Sequence, residues 1–178
     1  MASFISAGHH NNDSGAVGCG TQENIETIKF RDIVVPYVKS FGTKVITDND
    51  SETLSQYLKR IETGTGSVVV EFHFDAADGK ATGSTAIVGS DADRLDKAFA
   101  QELVDLTAKI IGIKNRGVIS EAESHRGRLG LMREQGVVCL LEICFIDNQN
   151  DMNSYNKVKD LLAKEVARVI DKYDRIIL

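Results

Sequence analysis

Ser67-Val68-Val69-Val70-Glu71-Phe72-His73-Phe74 sets the architecture of the chain. It is β-branched and largely apolar, as a central strand covered on both faces should be, and its polar end carries His73. A second run, Val137–Phe145 (Val-Val-Cys-Leu-Leu-Glu-Ile-Cys-Phe), is the most apolar of the chain, and a lone carboxylate, Glu142, sits inside it. Upstream, Phe4–Ala7 reads as a short first strand entering a polar, glycine-bearing loop, Gly8–Gly20, too long for a simple turn and of the kind that usually carries function. Lys44–Thr47 and Gly83–Val88 read as further strands.

Helical spacing fills the gaps between these runs. Phe30, Ile33, Val34, Tyr37, Val38 and Phe41 predict a helix from about Glu23 to Phe41, with a kink at Pro36, the only proline. Leu54, Tyr57, Leu58 and Ile61 predict another over Ser51–Thr63. Ser90-Asp-Ala-Asp93 matches a capping box opening a helix striped by Leu95, Phe99, Leu103, Leu106 and Ile110. Tyr155, Val158, Leu162, Val166 and Val169 predict a last helix from about Ser154 to Tyr173, while Gly117–Gln135 reads as irregular. Strands alternating with helices in this way imply an α/β fold, a mostly parallel sheet with helices on both faces.

At 178 residues the chain fits a single domain, residues 1–178, able to bury a real core. A net charge of -5, with no Lys/Arg cluster interleaved with aromatics, argues against nucleic acid as a partner. No stretch is apolar enough to span a membrane, and the N-terminus has neither a basic segment nor a long apolar one, which predicts a protein made in the cytoplasm without a secretory signal. Cys19, Cys139 and Cys144 cannot all pair and have no metal-binding spacing, so reduced, structural thiols are expected.

In open α/β sheets ligands bind beyond the carboxyl ends of the strands. His9 and His10 follow the first strand, His73 and Asp75 end the third, and Glu142 lies near the end of the last, so three of the chain's four histidines fall at such positions. Two imidazoles and a carboxylate are the ligand set of a catalytic zinc. Glu23, at the start of the first helix, is well placed to complete it, with Asp13, Glu26 and Asp75 as rivals that spacing alone does not separate. Glu142 needs its own explanation, because an ionised carboxylate in an apolar strand is expensive unless paired or metal-linked. It is either a base poised beside a metal site or the partner of an arginine such as Arg126 or Arg133.

These segments resemble those of the zinc N-acetylmuramoyl-L-alanine amidases, which include bacterial cell-wall amidases and phage endolysins. Gly8-His9-His10-Asn11-Asn12-Asp13-Ser14-Gly15-Ala16-Val17-Gly18 is similar to the family's Gly-His-Gly-Gly-x-Asp-x-Gly-Ala-x-Gly, and Glu23 stands where the family places a glutamate ligand. Glu71-Phe72-His73-Phe74-Asp75-Ala76-Ala77 resembles the segment holding the second histidine, and Gly83 follows at a fitting distance. Leu140-Leu141-Glu142-Ile143-Cys144-Phe145-Ile146-Asp147-Asn148 resembles the final strand, with Asp151 after it.

The resemblance implies a six-stranded mixed sheet and one zinc ion on His9, Glu23 and His73, choosing Glu23 over its rivals. It also implies Glu142 as the base of a peptidoglycan hydrolase that cuts between N-acetylmuramic acid and L-alanine, acting on the cell wall as an endolysin, autolysin or sporulation amidase. A zinc peptidase acting on free peptide termini and a non-catalytic wall-binding module are the alternatives. The chain departs from the pattern at His10 and Cys144, which replace glycines, and at Asp75, which replaces asparagine. Ser120–Gln135 departs most. His10, Asp75, His125 and Arg126 are the candidate substrate contacts, the last two for a peptide carboxylate.

Overall fold

The computed structural model describes residues 2–177. Its strands are β1 (Ser3–Ala7), β2 (Val17–Gly18), β3 (Thr21–Gln22), β4 (Val45–Thr47), β5 (Val68–Asp75), β6 (Ser84–Val88), β7 (Asn115–Ser120) and β8 (Val137–Phe145). Its helices are α1 (Glu23–Ser40), α2 (Leu54–Arg60), α3 (Arg94–Ile111) and α4 (Gln149–Ile176). Six strands form one sheet in the order β4-β1-β5-β8-β6-β7, while β2 and β3 pair in the loop after β1. The first four strands of that order are mutually parallel, and β6 runs antiparallel to β8 with β7 parallel to β6. This is the mixed, mostly parallel six-stranded α/β sheet expected, and the two apolar runs that decide the fold, β5 and β8, lie side by side at its centre.

Helices flank both faces, but unequally. Val68, Val70, Phe72 and Phe74 of β5 turn toward α1, α3 and α4, where they pack with Phe30, Val34, Phe99, Leu103, Tyr155 and Leu162. Each fully buried side chain of that size contributes roughly 1.5–3 kcal/mol. The opposite face is covered only by the seven-residue α2 and a 3-10 turn at Gly130–Arg133, which supply Tyr57, Ile61, Leu131 and Met132 against Phe4, Val69, Val138 and Leu140. Because side chains alternate along a strand, the residues in step with Phe4, Val69 and Leu140 also point to this thinly covered side. Those residues are Ser6, Glu71, His73 and Glu142, all near the carboxyl ends of β1, β5 and β8.

Several boundaries differ from expectation, each for a local reason. The helix expected from a Ser90–Asp93 capping box begins three residues later: Asp93 is the cap and Asp96 completes the box, while the Ser90 hydroxyl lies beside Glu121. For α2, Thr53 and Gln56 form the box, and the Ser51 hydroxyl is taken by Asn49. α4 starts before Ser154, because the Asn148 side chain caps a polar first turn. The stretch read as irregular, Gly117–Gln135, begins inside β7, an exposed edge strand that ends at Ser120. Pro36 lies inside α1, which runs on to Ser40. Cys139 and Cys144 are buried free thiols, as expected of small core residues, whereas Cys19 is exposed. Among the described residues no helix is long and apolar enough to cross a membrane.

Candidate metal centre

The site is assembled where β1, β5 and α1 meet. The Gly8 amide donates to the Phe72 carbonyl, continuing the β1–β5 pairing one residue past the strand, and the chain then turns sharply at His9, which takes a left-handed φ of 68°. The first turns of α1 hold this bend: Thr27 Oγ1 donates to the Gly8 carbonyl at 2.7 Å and Asn24 Nδ2 to the His10 carbonyl at 3.0 Å. Two glycines of the opening motif are required by packing. A Cβ at Gly8 would overlap the His73 ring, and one at Gly15, where φ is +60°, would come within 2.6 Å of both His9 Nε2 and Glu23 Oε2. Small residues here let the imidazoles and the carboxylate converge.

Glu23, the first residue of α1, lies between the two rings. Its Oε1 is 2.8 Å from His73 Nδ1 and accepts the Phe74 amide at 3.1 Å, and its Oε2 accepts the Ala16 amide at 2.9 Å. His9 Nε2 is 3.1 Å from Oε2 but off the hydrogen-bond line, so this buried nitrogen has no hydrogen-bond partner. The remaining ring nitrogens each meet another carboxylate: His9 Nδ1 is 2.9 Å from Asp13 Oδ2, and His73 Nε2 is 3.0 Å from Glu71 Oε1. Burial alone would lower the basicity of His73, but its hydrogen bonds to Glu23 and Glu71 outweigh that and push its pKa up to about 10. Burial would likewise raise Glu23, yet the hydrogen bond to His73 and the nearness of both imidazoles hold its carboxyl far below the usual range.

His9, Glu23 and His73 each offer one ligand atom within 4.8 Å of the others. The donor chemistry fits a metal. Two imidazoles and a carboxylate are a zinc-type set with room for a further ligand, and the orphaned His9 Nε2 is a buried lone pair or N–H that a protein does not normally leave unmet. The rivals are disposed elsewhere. Glu26 accepts from Thr21 and Lys29, Asp75 accepts from the Ala76 amide, and Asp13 acts on the far side of the His9 ring.

Glu142 pairs with His73 across the β5–β8 ladder and is 3% exposed. Of the two arginines weighed for it, Arg126 makes the contact, with Nε and Nη2 each 2.9 Å from Oε1, while Arg133 pairs with Glu121. The ion pair leaves Oε2 buried without a partner. Burial pushes the Glu142 carboxyl up, against the pull of His73 and Arg126 and with the help of Asp75 and Glu23. Arg126 Nη2 also lies 3.8 Å from Glu23 Oε1, so this guanidinium spans the gap between the two acids.

Two cavities flank Arg126. One, about 420 Å³, is bordered by His9, His10, Asp13, Tyr57, Glu71 and His73. The other, about 390 Å³, is bordered by Asp75, Lys114, Arg116, His125 and Glu142. The four candidate substrate contacts are therefore divided: His10 on the first side, Asp75 and His125 on the second, and Arg126 on both. Sequence reasoning missed Glu71, Lys114 and Arg116. Glu71 carried a usable signal, a carboxylate in an apolar strand, the same oddity that singled out Glu142. Asn148 and Asp151 serve as braces: Asn148 Nδ2 donates to the Ala81 carbonyl, and Asp151 accepts from Thr82 Oγ1, the Gly83 amide and the Phe145 amide.

The model of the family described as N-acetylmuramoyl-L-alanine amidase matches residues 4–172, nearly the whole chain. An uncharacterized protein of Clostridium perfringens is 27% identical over 180 residues, covering 97% of this chain and 52% of that protein. A Staphylococcus aureus protein assigned as an autolysin is 28% identical over 188 residues, covering 94% of this chain and 37% of that protein. The chain thus spans about half or less of the length of these curated relatives. Among solved structures, a candidate N-acetylmuramoyl-L-alanine amidase from Neisseria meningitidis superposes with a TM-score of 0.79 at 25% identity, covering 96% of this chain and 94% of that one. The family match along residues 4–172 and the superposition of the whole fold agree, and the chain belongs to the N-acetylmuramoyl-L-alanine amidase family.

Proposed function

We propose that this chain is the catalytic domain of a peptidoglycan hydrolase that cleaves the amide between N-acetylmuramic acid and the L-alanine of the stem peptide. His9, Glu23 and His73 hold one zinc ion. The observation that carries this reading is the convergence of these three side chains with the buried, half-paired carboxylate of Glu142 at the carboxyl ends of β1, β5 and β8.

Zinc bound there supplies Lewis acidity, polarising the amide carbonyl and lowering the pKa of the attacking water toward ~7. Glu142 does the proton work. Its Oε2 has no protein partner, and its raised pKa suits a group that must take a proton from water and give it to the departing amine of L-alanine. Arg126 holds Oε1 and so fixes the rotamer that presents Oε2. The lactyl carboxylate stays with the sugar, and the stem peptide leaves with a free amino terminus.

The cavities suggest how the substrate lies. Lys114, Arg116 and His125 on the Glu142 side have no carboxylate within ion-pair distance among the described residues, in a chain that is acidic overall. A peptide carboxylate fits there, taken by His125 with Arg126, and Asp75 lies beside the leaving amine. The sugar then extends into the opposite cavity past His10. The test is digestion of purified peptidoglycan, with stem peptides lacking sugar as the control. New L-alanine amino termini with uncut control peptides are expected, and shortened peptides or free D-amino acids mean that the target is a peptide bond.

A further inference from the structure

Glu71 is 3% exposed in the central strand β5, where an unpaired carboxylate is strongly disfavoured. No lysine or arginine among the described residues comes within ion-pair distance of it; its charged neighbour is the His73 ring, with Oε1 3.0 Å from Nε2. Its other oxygen, Oε2, accepts the Ser6 hydroxyl at 3.2 Å. The backbone on either side is held as well, since residue 71 is in register with Ser6 of β1 and Leu140 of β8. Glu71 and His73 are two residues apart on a strand and therefore share a face, which directs the carboxylate at the far nitrogen of the ring. The ring has little freedom to turn away, because Gly8 packs directly against it.

We propose that Glu71 is the positioning residue of this centre: it holds His73 with Nε2 as the N–H donor, leaving the Nδ1 lone pair turned toward Glu23 and the metal. The assignment rests on the reading of His73 as a metal ligand and is independent of which bond the enzyme cuts. The two histidines then use different atoms, Nε2 for His9 and Nδ1 for His73, each with its other nitrogen on a carboxylate. The two carboxylates are not equivalent. Asp13 is half exposed, whereas Glu71 is buried and anchored through Ser6, so Glu71 is the stiffer support. A carboxylate behind a ligating imidazole fixes its tautomer and strengthens it as a donor, and losing such a partner commonly weakens metal binding ~10–100-fold.

The test is zinc affinity by competition with a chromophoric chelator, on the wild-type protein and on Glu71→Ala, Glu71→Gln and His73→Ala. Glu71→Ala should bind zinc about 10–100-fold more weakly. Glu71→Gln, which keeps an oxygen for the Nε2–H, should recover most of that loss. His73→Ala should lose tight binding altogether. If His73→Ala binds as the wild type does, the ligand set itself is wrong; if His73→Ala fails and Glu71→Ala binds normally, the role of Glu71 is wrong. A readout on the unmutated protein guards against variants that do not fold. With 113Cd in place of zinc, the metal should couple to 15N at Nδ1 of His73, and coupling at Nε2 overturns the proposal.

Discussion

Replacing Glu142 with glutamine separates chemistry from folding, because the structure sets opposite expectations for the two. The amide keeps an oxygen for Arg126 and fills the same volume, but it cannot accept a proton at the position of Oε2. A general base commonly supplies ~10²–10⁴-fold, or about 2.7–5.4 kcal/mol of transition-state stabilisation, and kcat/KM should fall by that amount. Stability should respond differently. Because burial raises the Glu142 carboxyl above its ordinary value, the ionised side chain binds its proton more tightly in the folded chain than in the unfolded one. At neutral pH its charge therefore opposes folding, and a neutral isostere removes that penalty. The pull of Arg126 is already part of that balance, and the glutamine oxygen keeps a hydrogen bond from the guanidinium.

Thermal melts of metal-free Glu142→Gln should therefore match or exceed those of the wild type, and its zinc affinity should be retained. The assay is release of amine from a muramyl peptide, with zinc titration and melting curves on the same preparations. A variant that unfolds while its folded fraction keeps wild-type activity would make Glu142 a structural partner of Arg126 and not the base.

Three further outcomes follow from the same geometry. Zinc at about 100 times its dissociation constant should stabilise the fold by ~2.7 kcal/mol, a rise of roughly 5–11 °C in Tm for a domain of this size, and a chelator should reverse it together with activity. Gly15→Ala should weaken zinc binding and lower Tm, since the new methyl group strains a left-handed backbone and meets both His9 and Glu23; unchanged calorimetric binding and melting would show that the loop has room to move. The double variant Lys114→Ala with Arg116→Ala should raise KM for a muramyl peptide roughly 2–30-fold at unchanged zinc affinity, and an effect confined to kcat would place the anionic end of the substrate elsewhere.

The centre of the fold was legible because its strands carry their own evidence. β5 and β8 are apolar runs that only a doubly covered position explains, and the polar residues that interrupt them, His73 and Glu142, are those the structure turns toward the thin side of the sheet. The periphery was less legible for identifiable reasons. β7 reads Asn-Arg-Gly-Val-Ile-Ser, with a left-handed Gly117, because an edge strand needs no apolar partner on its outer side. The starts of α2 and α3 each offered two oxygen-bearing side chains for one cap, and only the path of the chain selects Thr53 over Ser51 and Asp93 over Ser90. Glu71 breaks β5 as Glu142 breaks β8, but that its carboxylate meets the far nitrogen of the His73 ring depends on side-chain geometry that residue spacing does not express. The basic side chains Lys114 and Arg116 become neighbours of Glu142 only through the crossing of β6 between β7 and β8, which residue spacing does not express.

In the proposed reaction, water activated at the His9–Glu23–His73 centre and deprotonated by Glu142 attacks the carbonyl joining the sugar to L-alanine. Hydrolysis of a defined muramyl peptide in 18O-labelled water, with both products weighed by mass spectrometry, tests this most directly. One 18O atom is expected in the new lactyl carboxylate of the sugar product and none in the released peptide. Label in a peptide carboxylate, or at a new reducing end of the glycan, would contradict it.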